Sequence, residues 1–546
     1  MSLTFKKPTI LFFITLILLG CSEGNKESKD TPSIETFRSF LEVLASDDFE
    51  GRAPGTPGGI KTKEFIAEEF SKLNLEKFNG SYQMPVKLTE ITLDVEKSNF
   101  SISLEGKGLN LRNAKDYVYW TKRQIEEVSF KDSELVFVGY GINAPEYEWL
   151  DYDSIDVRGK TLVMLINDPG FELQDPSLFK GKAMTYYGRW TYKFEEAARR
   201  GAEAVLIIHE TAPAAYGWQV VETSNVGPQL DLYFEDKNLN RVSLEGWITK
   251  DTAEKLFSTI GKSYQEMKEF ALSENFRPVN LTGLSLSSDI KNEIRFADSH
   301  NVVGFIKGQE RAEEYLMVMA HWDHLGINSV GEIYNGAADN ATGTAMVMAL
   351  AEYLSQEDFK RSIIFATVTA EESGLLGSGY LANNLPFKEN QMVAGLNLDA
   401  YFAFGRAKDL QVLGYGASEL EDLMLESAKK KDKYLSPDFQ PEKGLFYRSD
   451  HVNFAKKGIP VLYIDPGVDM LEGGIERGKE LINSYYIGGC YHQVCDEITK
   501  EWKYDGIEED LWIFADFLKS LANSEEYPNW YEGNEFKSIR DQSINK

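Results

Sequence analysis

The hydrophobic positions of the chain change rhythm along its length, and each rhythm predicts a different kind of element. In IETFRSFLEVL and in residues 60–73, IKTKEFIAEEFSKL, apolar side chains recur at helical spacing on either side of the turn-rich ASDDFEGRAPGTPGG, so two helices flank a turn. From about residue 90 to 110 apolar and polar residues alternate (ITLDVEKSNFSISLEG), the period of strands. Residues 115–290 carry short apolar runs between turns, SELVFVGYGI and KTLVMLIND, followed by KFEEAARRGAEAVLIIHE, where a helix gives way to a strand. This segment predicts a compact β-rich insertion with one or two helices. His209, behind an apolar LII, reads as a strand-end residue rather than a ligand.

From residue 301 onward, buried strands (NVVGFIKG, EYLMVMA, RSIIFATVTA, MVAGLNLDA, LQVLGYG, IPVLYID) alternate with helices (GTAMVMALAEYLSQ, SELEDLMLESAKKK, GIEEDLWIFADFLKSLA). The expected fold class is α/β, a mostly parallel central sheet flanked by helices, with functional groups in the loops at the carboxyl ends of the strands.

Length and charge narrow this picture. A chain of 546 residues exceeds one hydrophobic core, so two globular units are expected. With 86 acidic against 58 basic side chains, the net charge of −28 opposes a nucleic-acid backbone and an anionic membrane surface, which excludes nucleic acid as a partner. The chain opens with Lys6 and Lys7, an apolar run from Ile10 to Leu19, then Gly20 and Cys21. That is the layout of a signal peptide over residues 1–20, too short to span a bilayer. Leu18-Leu19-Gly20-Cys21 resembles the bacterial lipoprotein box, which implies lipid on Cys21 and an exported protein held to the cell envelope, on its periplasmic side or at the cell surface, by that anchor alone. Residues 21–34 then read as a flexible tether.

Candidate chemistry gathers after the strands. EYLMVMA is followed by His321-Trp322-Asp323-His324, GEIYNGA by Ala338-Asp339-Asn340, RSIIFATVTA by Glu371-Glu372 and MVAGLNL by Asp399, while His492 sits in the loop before the last long helix. One strand-end acid is ordinarily a solvated loop residue or a helix cap. Two histidines and three carboxylates in one α/β unit suit a pair of divalent ions, zinc above all. Adjacent Glu371 and Glu372 would repel each other without a cation nearby, and the i, i+2 spacing lets Asp323 orient His321.

AHWDHLG, NGAADNATGTA, TAEESGLLGS, NLDA, SDHVNFAKKGIP and YHQVCDE, in that order, resemble the co-catalytic zinc aminopeptidases, the family that includes glutamate carboxypeptidase II and the glutaminyl cyclases. The opening LASDDFEGRAPGTPGG resembles that family's first segment, and residues 115–290 its inserted protease-associated domain. The resemblance implies a peptidase unit split into residues 35–114 and 291–525, with 526–546 as a tail. It further implies two zinc ions per chain, Asp339 bridging them, Glu372 and His492 completing one, and His321 and Asp399 the other. Glu371 would be the general base, Asp323 the acid behind His321, and Tyr491 a donor to the scissile carbonyl. His324, Asp450 and His451 fit the motifs without a ligand role.

The implied activity is an aminopeptidase acting on peptides. A carboxypeptidase, a glutaminyl cyclase and a non-catalytic lipid-anchored peptide-binding protein are the alternatives, and oligomeric state is not indicated. With Cys21 lipidated, Cys490 and Cys495 remain as an even pair around His492 in an oxidising compartment. A disulfide closing this short loop is expected, with two free thiols as the alternative.

Overall fold

The computed structural model describes residues 31–224 and 227–544. The signal peptide, Cys21 and the start of the tether lie outside the described residues, among which no helix is long and apolar enough to cross a membrane.

The central sheet runs in the order Tyr434–Pro437, Asp409–Leu413, Val461–Pro466, Met392–Asn397, Arg311–His321, Arg361–Val368 and the end of Val279–Ile306. Arg311–His321 pairs in parallel with both of its neighbours, and Met392–Asn397 with Val461–Pro466. Asp409–Leu413 is antiparallel to Val461–Pro466 but parallel to Tyr434–Pro437, and the Val302–Ile306 stretch is antiparallel to Arg361–Val368. The mostly parallel α/β architecture is thus as expected. Both faces are covered, which is why Arg361–Val368 and Met392–Asn397 are buried throughout and read as unbroken apolar runs. Leu316, Val318 and Ala320 point into a core shared with helices Ile34–Leu44, Thr342–Leu354 and Asp505–Asn523, while Met317 and Met319 point into a second core with Leu381 and Phe454. Ser33 and Thr56 cap the first two helices, accepting from the backbone N–H groups of Thr36 and Gly59.

The insertion is richer in helix and in parallel pairing than its short apolar runs indicate. Strands Glu127–Phe137, Thr161–Leu165, Ala204–His209 and Leu244–Thr249 pair in parallel, and helices Trp190–Arg199, Lys250–Ser258 and Tyr264–Ala271 cover them. Each of these strands is nearly or fully buried except the first, and two cores separate from those of the peptidase region form on the two faces. Asn99–Leu104, which lies before residue 115, pairs with Val279–Ile306 and so belongs to this second sheet. The 28-residue strand Val279–Ile306 runs through both sheets and joins them. His209 ends its strand with Nε2 3.0 Å from the Tyr216 carbonyl, a structural role.

Residues 526–544 form part of the peptidase core rather than a loose tail. Trp530 donates to the Gly458 carbonyl at 2.9 Å, and the buried Arg540 donates to the carbonyls of Met392 and Val393 at 2.9 and 2.8 Å.

A second buried arginine ties the opening segment to the strand ends. Arg52, 1 % exposed, donates to the carbonyls of Leu44 (2.7 Å), Trp322 (2.9 Å), Asn335 (2.6 Å) and Gly336 (2.8 Å). The preceding Gly51 has φ +64°, and a Cβ there would lie 2.4 Å from the Tyr334 carbonyl oxygen, so only glycine lets the turn deliver Arg52. Replacing Arg52 by Met would take a donor from four carbonyls, of which that of Gly336 still accepts from the Ala341 N–H at 3.1 Å. We expect a loss of about 3 to 5 kcal/mol in urea unfolding; a wild-type midpoint would show that the tether carries no stability.

Candidate metal centre

The strand ends bring together the side chains that the sequence pattern singled out. His321 is the last residue of its strand, Glu371 and Glu372 follow Arg361–Val368, and Asp399 follows Met392–Asn397. Asp339 lies in the turn Ala337–Ala341 that opens helix Thr342–Leu354, and its peptide bond to Asn340 is cis. Gly336 starts that turn at φ +52°, where a Cβ would lie 2.3 Å from the Asp339 carbonyl oxygen and 2.4 Å from the His324 ring. Three non-glycine residues adopt left-handed backbone at the site: Ala370 before Glu371, Ala400 after Asp399, and His492 itself. Such conformations persist where the surroundings over-determine them, which is common at functional sites.

Two donor sets share one carboxylate. Nε2 of His321 lies 3.0 Å from Asp399 Oδ1 and 3.3 Å from Asp339 Oδ1. Nε2 of His492 lies 3.0 Å from Glu372 Oε2 and 3.3 Å from Asp339 Oδ2. Asp339 therefore faces both sets, one oxygen to each. Glu371 stands beside them, its Oε2 3.9 Å from His321 Nε2, and its side chain is 11 % exposed. Tyr491 is at the rim, 45 % exposed, with its ring stacked on His492 at 3.9 Å.

Asp323 acts on His321 through its backbone, whose carbonyl lies 3.1 Å from Nδ1, with Oδ1 farther away at 3.8 Å. Its carboxylate instead accepts from the backbone N–H groups of Glu371 and Glu372, at 3.1 and 3.4 Å, fixing the loop that carries both acids. His324 is more closely engaged than its motif position indicates: Nδ1 lies 2.7 Å from Glu372 Oε1, so Glu372 meets one imidazole with each oxygen. Asp450 and His451 are fully buried beneath the site.

The site has too little positive charge of its own. Burial raises Asp323 and Asp450 to about 7 and, with the acids around it, holds Glu371 well above the usual carboxylate range. Burial opposes the imidazolium of His321, yet Asp399 and Glu371 hold its pKa well above the ordinary value, and Glu372 with Asp339 raises His492 to about 10. A cluster that draws protons onto two imidazoles, one buried and one partly exposed, is one that a cation would stabilise.

Residues 301–517 match the family described as Peptidase family M28. The match is confined to this region of the chain. Over 252 residues, 44 % of this chain, the sequence is 26 % identical to aminopeptidase Y of Saccharomyces cerevisiae, covering 42 % of that protein. Over 101 residues, 18 % of this chain, it is 36 % identical to a protein of Leptosphaeria maculans named "Probable zinc metalloprotease", covering 23 % of it. The chain thus matches less than half the length of these curated relatives. Among solved structures, an aminopeptidase from Aneurinibacillus sp. strain AM-1 superposes with a TM-score of 0.50 over 91 % of this chain and 96 % of that one. At 18 % identity that is a likeness of fold.

Three further residues position the donor sets; they lie inside the family-like segments, where nothing in the sequence pattern gave them a role. Asp496 accepts from the backbone N–H groups of Ala338 and Asp339, at 2.9 and 3.1 Å, clamping the turn that presents Asp339. Ser449 donates to Asp399 Oδ2 at 2.5 Å and accepts from Asn397. Arg52 lies behind the cluster, where burial lowers its pKa to about 10 against the pull of Asp496, Asp323, Asp339 and Glu372.

The two cysteines stay outside the donor sets. Cys490 and Cys495 form a disulfide with Cα atoms 5.2 Å apart, closing the loop that holds His492 in its left-handed conformation and leads directly into Asp496. The double substitution Cys490→Ser, Cys495→Ser is expected to weaken cation affinity at the Glu372–His492 set about tenfold or more in chelator competition, by loosening a supported ligand. Unaltered affinity would show that the loop holds His492 without the bridge.

Proposed function

We propose that the protein is a zinc-dependent aminopeptidase that hydrolyses the first peptide bond of peptide substrates. One observation carries this reading: the two oxygens of Asp339 face two separate donor sets, and Glu371 stands beside both without belonging to either. The donor chemistry fits zinc, since imidazoles and carboxylates converge in largely buried positions with negative charge in excess. Nε2 of His492 points at Glu372 Oε2 and Asp339 Oδ2, the acids that raise its pKa, so a cation there would take the place of its proton. His321 and Asp399 would hold one ion, Glu372 and His492 a second, and Asp339 both.

When bound, zinc supplies Lewis acidity here and makes water acidic near neutral pH. Glu371 accepts the proton of the attacking water and delivers it to the departing amine, a role open to it because it is the acid left over from both donor sets. Asp323 keeps Glu371 and Glu372 in register by holding both their backbone N–H groups. Tyr491, beside His492 at the rim, is assigned the hydrogen bond to the developing oxyanion. The same reading makes the insertion a protease-associated domain and places the enzyme outside the cytoplasm on a lipid at Cys21.

The test separates the two neighbouring glutamates. Glu371→Gln is expected to retain its metal and lose about 100-fold or more of turnover on peptides with a free N-terminus. Glu372→Gln is expected to lose metal, measured by elemental analysis. Near wild-type turnover in Glu371→Gln, with metal-replete but inactive Glu372→Gln, would reverse the assignment. Cleavage of N-acetylated peptides at their other end would replace the aminopeptidase by a carboxypeptidase.

A further inference from the structure

Two arginines at the seam between the insertion and the peptidase region stand apart from the other buried arginines. Arg52, Arg361 and Arg540 each spend at least two guanidinium nitrogens on carbonyls or a carboxylate, although Nε of Arg540 has no partner either: Arg361, for example, donates to Glu314 at 2.6 Å and to the Leu521 carbonyl at 2.9 Å. Arg189 is 9 % exposed, and its Nε is buried without a hydrogen bond. Arg448 has both Nε and Nη2 buried without a hydrogen bond. Among the described residues, neither forms an ion pair. Burial and the charge of Arg448 together lower the pKa of Arg189 to about 9, and the other groups acting on it are Tyr216 and Tyr186, not carboxylates. Two cations that repel each other at this seam, with buried N–H groups that no protein group accepts, are a cost the fold bears.

Their place in the molecule gives that cost a use. Arg448 immediately precedes Ser449, which holds Asp399 at 2.5 Å. The Arg448 guanidinium lies 5.9 Å from the centre of the Tyr216 ring. Tyr216 is one wall of a cavity of about 300 Å³ whose other walls include Trp120, Trp190, Trp247, Glu372 and Gly374. Trp190 is the residue after Arg189, so each arginine is next in the chain to a group of the cavity wall or to one that holds a donor, standing behind the wall rather than in it. The seam is itself well joined: the Met184 N–H donates to the Pro441 carbonyl at 3.1 Å, and Tyr186 packs on Tyr447 with ring centres 6.0 Å apart.

We propose that Arg189 and Arg448 together form a carboxylate-recognition subsite for the peptide substrate, one guanidinium from the insertion and one from the peptidase region. The planar fork of a guanidinium matches a carboxylate with two parallel hydrogen bonds, and such a charge-assisted pair is stronger than a neutral one. The carboxylate is either the free C-terminus of a short peptide or an acidic side chain near the cleaved bond. The inference rests on the aminopeptidase reading for the identity of the ligand as a peptide.

Calorimetry on zinc-loaded Glu371→Gln enzyme, with Leu-Gly, Leu-Gly amide and Leu-Glu amide as probes, tests the subsite apart from turnover. A carboxylate-bearing probe is expected to bind about tenfold or more tightly than Leu-Gly amide. Preference for Leu-Gly assigns the subsite to the C-terminus, and preference for Leu-Glu amide to a side chain. In added Arg189→Met or Arg448→Met backgrounds the ratio is expected to fall to near one, and with Arg189→Lys to lie between. Equal binding of all three probes by the parent, or a ratio that survives both Met substitutions in folded protein, overturns the proposal. Hydrolysis by the unmodified enzyme decides the aminopeptidase reading separately: cleavage of Leu-Gly amide with no carboxylate preference sinks only the subsite. Binding preference without any cleavage sinks only the activity.

Discussion

Seven carboxylates, those of Asp323, Asp339, Glu371, Glu372, Asp399, Asp450 and Asp496, converge on one end of the central sheet, and their mutual repulsion is the constraint to which the surrounding structure answers. Like charges 4 Å apart cost about 4 kcal/mol even at the effective dielectric of a protein surface. The chain offsets this in three ways. Asp323 and Asp496 face backbone N–H groups, Asp399 takes a hydroxyl from Ser449, and Arg52 places a full positive charge behind the cluster. What remains is concentrated at Asp339, between two imidazoles whose pKa values it helps to raise.

Local backbone geometry follows from the same constraint. The donors must point inward at short range, and a relaxed strand-to-helix connection does not aim them that way. The site accordingly holds left-handed Ala370, Ala400 and His492 next to or at the acting side chains, and needs Gly336 where a Cβ would strike the Asp339 carbonyl. Each strained residue is held by something rigid. Ala370 sits under the loop pinned by Asp323, and His492 in the loop closed by Cys490 and Cys495, whose next residue, Asp496, reaches back to the Asp339 turn. One short stretch, GCYHQVCDE, thereby contributes a donor, its covalent support and the clamp on the shared carboxylate.

How much of this was legible in the sequence depended on whether a residue acts by its position in an element or by a contact across the fold. His321, Glu371, Glu372 and Asp399 were readable because apolar strand runs end just before them, and parallel sheets place functional groups there. Helices such as Asp505–Asn523 were readable from their period. Asp496 and Ser449 were not, because hydrogen bonds to Ala338, Asp339 and Asp399, 50 to 158 positions away, leave no local pattern and both residue types are ordinary in loops. His324 showed its proximity but not its partner. In the insertion, the parallel pairing of short buried strands has the same apolar signature as antiparallel pairing, so its helices and register were under-read. Arg540 and Trp530 lie in a polar C-terminal stretch that looks peripheral until their carbonyl partners are seen.

The joining of the two sheets by one continuous strand has a mechanical consequence for the cavity beside Glu372. Val279–Ile306 pairs with the insertion's strands over its first part and with Arg361–Val368 over its last, so the loop that carries Glu371 and Glu372 and the aromatic walls of the cavity are referenced to the same piece of backbone. A flexible linker would let those walls drift by more than the few tenths of an ångström that separate a made hydrogen bond from a lost one. A shared strand does not. The donor sets are built wholly from the peptidase region, whereas the walls come largely from the insertion, so side chains such as Trp120, Tyr216 and Trp247 can change without disturbing Asp339 or its neighbours. That separation lets the surface facing a ligand vary while the charge balance of the buried cluster, the costliest feature of the fold to re-establish, stays fixed.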